Sequence, residues 1–229
     1  MKFIIVGLGN FGASLATKLT KQGNEVIGVD SRMNKVNALK DDITHAVCLD
    51  ATDKVGLSNL PLKNTDIVVV AIGEDEGANI MVTAQFKNLG VKRLISRAIS
   101  PIHENVLEAL GVHEIVHPEE ETAERWAKKL CLKGVLDSFE INSEYSIIEV
   151  DIPRQLIGER FESTKLSDKY DVAVLTIMKS TEQNTFLGKH KIINEVKGLP
   201  KPDRIFEPDD ILVLYGSNKN LQVFLKKLN

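Results

Sequence analysis

A short β-branched run, Phe3-Ile4-Ile5-Val6, leads straight into Gly7-Leu8-Gly9-Asn10-Phe11-Gly12, and that junction limits the fold more tightly than anything else in the chain. Such a run can be buried on both faces, the habit of a central strand in a parallel sheet. The glycines answer separate needs: a tight turn at Gly7, close approach of backbone to a phosphate at Gly9, and close helix–strand packing at Gly12. Leu15, Ala16 and Leu19 then recur at helical spacing until Gly23, and a second strand, Glu25-Val26-Ile27-Gly28-Val29, ends in Asp30. Strand, glycine turn, helix, strand and terminal acid in that order predict a βαβ unit that seats a nucleotide. Free N–H groups at the helix start favour an anion there, and Asp30 can accept hydrogen bonds from both ribose hydroxyls. The competing reading is a glycine turn made only for packing.

The grammar repeats. His45-Ala46-Val47-Cys48-Leu49 ends at Asp50-Ala51-Thr52, and Asp66-Ile67-Val68-Val69-Val70-Ala71-Ile72 ends at Gly73-Glu74. A helical stretch from Asn79 to Asn88, closed by Gly90, precedes Lys92-Arg93-Leu94-Ile95-Ser96-Arg97. In open α/β sheets the carboxyl ends of the strands line the ligand crevice. Asp30 and the following Ser31, Asp50-Ala51-Thr52, Ala71-Ile72-Gly73-Glu74 and Arg97 are therefore expected to converge, with Arg97 offsetting phosphate charge. Taken singly, each polar strand end reads as a helix cap or a solvated loop residue.

Composition narrows the function classes. With 29 basic and 32 acidic residues, the formal charge of -3 excludes a polybasic nucleic-acid binder. The two cysteines, Cys48 and Cys131, stand too far apart to suggest a disulfide scaffold or a cysteine-rich zinc site. The longest apolar stretch, Ile67 to Ile72, falls far short of the ~20 residues that span a bilayer. Met1 to Val6 runs into Gly7 without a signal-peptide core, so a cytoplasmic protein with no direct membrane insertion is expected.

These residues resemble a known family, the regulators of potassium conductance, cytosolic subunits of bacterial Trk and Ktr potassium uptake systems. The likeness covers nearly the whole chain. It is carried by Gly7 to Gly12, Asp30, Asp50-Ala51-Thr52-Asp53, Ala71-Ile72-Gly73-Glu74-Asp75, Ile95-Ser96-Arg97-Ala98, His103 to Gly111 and Val116-His117-Pro118-Glu119. The resemblance implies a Rossmann-like parallel sheet over 1–118, a crossover helix over 119–136 and a smaller α+β lobe over 137–229. It implies that Gly7, Gly9, Asn10, Phe11 and Gly12 face the phosphates of an adenine nucleotide, NAD(H), ATP, ADP or AMP. Asp30 and Ser31 would hold the ribose, Asp50, Ala51, Thr52, Ala71, Ile72, Gly73 and Glu74 would surround base and sugar, and Arg97 would approach the phosphates. Glu119 would help hold a cation at a dimer interface, although a helix-start acid complementing the dipole is the plainer reading. Asn10 stands where ATP-sensing relatives often carry arginine, which leaves ATP and ADP undiscriminated. Ser31-Arg32 follows the acid, and an arginine there suits a 2′-phosphate that Asp30 would repel.

From Pro118 onward, Ala123, Trp126, Ala127, Leu130 and Cys131 mark an amphipathic helix ending near Gly134, with Lys128, Lys129 and Lys133 suited to its negative end. In the resembled family this region crosses to a second copy; the alternative is an ordinary packing helix. After Leu136 short β-rich segments take over, at Tyr145 to Val150, Val172 to Met178 and Ile211 to Tyr215. Pro153, Gly158, Gly188, Pro200, Pro202 and Pro208 punctuate them, and Asn220 to Leu228 reads as a closing helix. The polar segment between Lys179 and Lys201 reads as a solvated loop, or as a place where a ligand or a second copy is met.

The function implied is a non-enzymatic, nucleotide-binding gating subunit at the inner face of the cell membrane. It would act on a membrane-embedded potassium channel or transporter as a homodimer assembling to an octameric ring. Two rivals remain: an NAD(P)-dependent oxidoreductase, and a soluble nucleotide or redox sensor. Against the first, His45, His103, His113, His117 and His190 form no evident catalytic pair with a carboxylate. A metal set of His113, His117 and Glu119 lacks a helix to align it.

Overall fold

The computed structural model describes residues 1–132, 134–184 and 190–228. The chain divides into two compact units, Met1–Glu119 and Glu120–Asn229. The first unit alternates strand and helix: β1 (Lys2–Val6), α1 (Asn10–Lys21), β2 (Glu25–Asp30), α2 (Met33–Leu39), β3 (His45–Cys48), α3 (Lys54–Ser58), β4 (Ile67–Val70), α4 (Glu76–Asn88), β5 (Leu94–Arg97), α5 (Pro101–Ala109) and β6 (Glu114–Val116). All strands run parallel in the order β3-β2-β1-β4-β5-β6.

Burial explains why the apolar runs became central strands. Phe3 and Ile5 pack on one face with Val26, Val69 and Ala16, while Ile4 and Val6 pack on the other with Val68, Val70, Phe86 and Leu94. Alternate side chains of one strand thus enter two different cores, each fully buried Ile or Val contributing ~1.5–3 kcal/mol. Register then fixes the site. Val6 pairs with Val29 on one side and Val70 on the other, and Val70 pairs with Ser96, so Gly7, Asp30, Ala71 and Arg97 emerge together. Ala71 and Ile72, expected to continue the fourth strand, lie beyond β4, which ends at Val70, although the Ala71 N–H still donates to the Val6 carbonyl at 2.7 Å.

Next comes α6 (Pro118–Cys131). Among the described residues its expected apolar stripe meets no core: none of its residues is buried, and Trp126 and Leu130 are 49% and 77% exposed.

The second unit holds β7 (Val135–Glu140), β8 (Tyr145–Asp151), α7 (Phe161–Thr164), α8 (Leu166–Tyr170), β9 (Val172–Asn184), β10 (His190–Val196), β11 (Asp210–Ser217) and α9 (Asn218–Leu228). Its five-stranded sheet, β10-β9-β11-β8-β7, is antiparallel. Leu221, Phe224, Leu225 and Leu228 of α9 share one core with Ile148, Val150, Leu212 and Leu214. Parallel α/β sheet and smaller α+β lobe are the fold class expected from sequence. One expectation is corrected: the polar segment after Lys179 is not simply a loop, because β9 continues to Asn184 and β10 returns antiparallel beside it, His190 opposite Asn184. Pairing of backbone with backbone holds such a ribbon, so its polar composition hid it. Lys133 and Gly188 lie outside the described residues.

Candidate functional site

A cavity of about 560 Å³ opens at the carboxyl ends of the first unit's strands, within the size range of small-molecule sites. Into it face Gly7, Gly9, Asn10 and Phe11 from the turn, Asp30 and Ser31 after β2, Asp50, Ala51 and Thr52 after β3, and Ala71, Ile72, Gly73 and Glu74 after β4, with Arg97 and Glu119. Gly12 stands behind the turn instead of lining the cavity. Arg32 lines it too, as its position after the strand-end acid implies, and so do Lys35, Asp75 and Ala78, to which the sequence assigns no role.

The three glycines are needed for three different reasons. Gly7 has a φ of +94°, and a Cβ there would stand 2.9 Å from the backbone nitrogen of Ile72. At Gly12 a Cβ would stand 1.9 Å from the carbonyl oxygen of Gly7. Gly9 differs, since a Cβ would meet nothing within 4 Å; the chain's own packing makes no demand for glycine there. Gly9 is also the N-cap of α1, where no side chain caps the helix and no acid occupies the first turn. The orphan N–H groups and positive dipole end are left for an external anion.

Asp30, 6% exposed, is the other pole of the cavity. Its Oδ2 accepts a hydrogen bond from the Leu8 N–H at 2.8 Å, which ties the glycine turn to β2. Its Oδ1 accepts from the Arg32 backbone N–H at 2.9 Å and from Arg32 Nε at 3.2 Å. Burial pushes the Asp30 carboxyl upward, but the hydrogen bonds from Arg32 and Leu8 and the Arg32 charge outweigh it, leaving the group below its ordinary 3.8. A carboxylate with a depressed pKa adds stability that is present above the unfolded-state value and is lost as pH falls through the folded one. The resistance of the wild-type chain to urea is therefore expected to fall as pH drops below about 4, and Asp30→Asn to flatten that dependence. Identical pH profiles for the two proteins would contradict these hydrogen bonds.

At the far end, Arg97 is held by Glu119 through its Nη2. The guanidinium lies close against Gly73, where a Cβ would stand 2.4 Å from Cζ. Below it, fully buried Asn79 donates to the carbonyls of Ile72, at 2.8 Å, and Arg97, at 3.1 Å, clamping the ends of two neighbouring strands. Asn79 Oδ1 accepts from Ser96 Oγ at 3.0 Å and lies 3.2 Å from His103 Nε2. Burial holds His103 below its ordinary pKa against the opposing pull of Glu76, so His103 belongs to this scaffold. The only sequence signal for Asn79 was a polar residue at an inward position of α4. Gln85 likewise supports the Asp50 to Thr52 loop, donating to the Thr52 carbonyl at 2.7 Å. His113 accepts from the Leu94 N–H at 3.0 Å, and among the described residues no three His, Cys, Asp or Glu side chains form a metal cluster.

Comparison with known proteins agrees with this architecture. The model of the TrkA-N domain matches residues 3–118. The Ktr system potassium uptake protein C of Bacillus subtilis (strain 168) is 34% identical over 227 residues, covering 99% of this chain and 97% of the relative. Among solved structures, the GsuK RCK domain matches with a TM-score of 0.66 at 14% identity over all of this chain, which spans only 47% of that one, and so shows the fold alone. The NAD(P)-binding domain of an exopolyphosphatase-related protein from Archaeoglobus fulgidus matches with a TM-score of 0.51 at 25% identity, covering 56% of this chain and 96% of that one. With its first half matched by the family model and its whole length by a Ktr protein, the chain belongs to the TrkA-N family of regulators of potassium conductance.

Proposed function

We propose that the chain is a regulatory subunit that binds an adenine nucleotide and gates a membrane-embedded potassium channel or transporter from the cytoplasmic side. One observation carries the reading: an uncapped helix start and a buried carboxylate face the same cavity from opposite sides of the Gly7 turn. Phosphates would rest on the amides of Gly9, Asn10 and Phe11, ribose on Asp30 and Ser31, and the base between Ala51-Thr52 and Ala71-Ile72, with Arg97 turned toward the phosphates. The NAD(P)-binding domain from Archaeoglobus fulgidus supports the choice of ligand class, and the full-length Ktr relative supports the choice of system.

In this reading residues 1–118 bind, 119–136 link, and 137–229 form the second lobe. No helix among the described residues is long and apolar enough to cross a membrane, so the pore is assigned to another polypeptide. The uncovered Trp126 and Leu130 support a second copy lying against α6, four such dimers making a ring, with Glu119 offered to a cation between copies. For a ligand to drive gating it has to bind two ring states unequally, and ~1–3 kcal/mol of coupling is typical.

Native mass spectrometry with NADH, ATP, ADP and AMP reads ligand and subunit count together. Asp30→Ala removes charge-assisted hydrogen bonds to ribose, each ~1.5–3 kcal/mol, so calorimetry is expected to show affinity falling about 10- to 100-fold. Unchanged affinity for every nucleotide, or no binding to the wild-type chain, would defeat the assignment; co-purification with a membrane pore protein separates a channel regulator from a soluble sensor.

A further inference from the structure

Arg97 is the cation assigned to the phosphates, and its side chain is poorly fixed by its own polar contacts. Its guanidinium meets the Glu119 carboxylate, itself 67% exposed, and such an ion pair holds position weakly. Among the described residues its buried Nε has no hydrogen-bond partner. What places the group is main chain. The guanidinium leans on Gly73, where a Cβ would stand 2.4 Å from Cζ, and Gly73 follows Ile72. β4 and β5 are paired as far as Val70 and Ser96, so the carbonyls of Ile72 and Arg97 lie past the last pair joining the two strands. One side chain spans that gap. Asn79, with no solvent exposure, donates one amide hydrogen to the Ile72 carbonyl at 2.8 Å and the other to the Arg97 carbonyl at 3.1 Å. Its Oδ1 accepts from Ser96 Oγ at 3.0 Å and Thr83 Oγ1 at 3.3 Å, so a turned-over amide would set its oxygen against two carbonyls. The carrier helix is fixed as well: Asp75 caps α4 by accepting from the Ala78 N–H at 2.9 Å, and the Asn79 N–H donates to the Asp75 carbonyl at 3.0 Å.

Resting on the nucleotide reading above, we infer that Asn79 is a positioning residue for the phosphate end of the crevice: it sets where Arg97 stands, and so governs how much a ligand's phosphates add to the binding of its adenosine. The two supports of the guanidinium, its own main chain and the Gly73 platform, hang from the two N–H groups of one amide. Without that amide the strand ends are free to part, and the guanidinium has to be ordered at the moment a phosphate arrives, a cost that a preorganised site avoids. Of the residues assigned to adenosine, Asp30, Ser31, Ala51 and Thr52 follow β2 and β3, away from the clamp.

Isothermal titration of the full chain with ADP and with adenosine gives an affinity ratio that measures the phosphate contribution. The wild-type chain is expected to bind ADP more tightly by about tenfold or more. Asn79→Leu, which nearly keeps the volume and removes the amide, is expected to lower the ratio about tenfold, the worth of one charge-assisted contact. Ser96→Ala removes a hydroxyl that orients the amide and is expected to lower the ratio about threefold. A thermal melt shows whether each variant is folded, and Ser96→Ala decides the question where Asn79→Leu is not. In an Arg97→Ala background neither change is expected to move the ratio by more than about twofold, because residues that act through one another are not additive. A ratio unmoved by Asn79→Leu, or by Ser96→Ala where the first variant is unfolded, overturns the positioning role and leaves the nucleotide reading intact. A fall of the same size without Arg97 does so too. A wild-type chain that binds ADP and adenosine equally, or neither of them, overturns the two together.

Discussion

Gly12→Ala is expected to destabilise the first unit itself, not merely to weaken its ligand. The added carbon would stand 1.9 Å from the Gly7 carbonyl oxygen and 3.1 Å from the Ala71 Cβ, and the first of these is backbone that no rotamer change can move aside. Relief requires α1 to lift from the β1 turn, which opens the core that Ala16 and Leu8 share with Ile5 and Val69. A cost of ~3 kcal/mol or more follows from overpacking at a fixed backbone. That corresponds to a fall of roughly 10 °C in Tm by calorimetry. A variant melting within about 2 °C of wild type would show that turn and helix do not meet as described.

Three positions away, at Gly9, the opposite outcome is expected. Gly9 has φ −70° and ψ −171°, a conformation open to any residue, and a Cβ there meets nothing within 4 Å. Gly9→Val is therefore expected to change stability by no more than ~0.5 kcal/mol. Its isopropyl group would occupy the space over the α1 amides where phosphate is proposed to lie, and nucleotide affinity should fall about 100-fold, ~2.7 kcal/mol. Unfolding and titration on the same preparation read both quantities; a Val variant that binds like wild type would place the phosphates elsewhere. The pair of variants separates two roles that one glycine motif combines.

Local order explains how much of this was legible. The β1 to β2 unit could be read because every cue, β-branched run, glycines, helical spacing and strand-end acid, lies within thirty residues and points the same way. The parallel order followed from apolar runs of four to seven residues with polar ends. Side-chain pairings across the cavity could not be read. Arg32 with Glu74, Gln85 with the Thr52 carbonyl, and Asn79 with the Arg97 carbonyl join residues 18 to 42 positions apart, and only the closed sheet brings them together. The β9–β10 ribbon was hidden for a related reason: ladder hydrogen bonds leave no trace in side-chain polarity.

The pairing of Arg97 with Glu119 has an electrostatic consequence. Glu119 lies in the first turn of α6, where the helix dipole favours a carboxylate by ~0.3–1 kcal/mol. In the proposed reading, a phosphate that captured the guanidinium would strip Glu119 of its counter-charge at little cost. Occupancy of the crevice would then appear as new negative charge at the root of the departing helix, where a metal ion could collect it. By thermodynamic reciprocity, such an ion would tighten the grip on phosphate in turn.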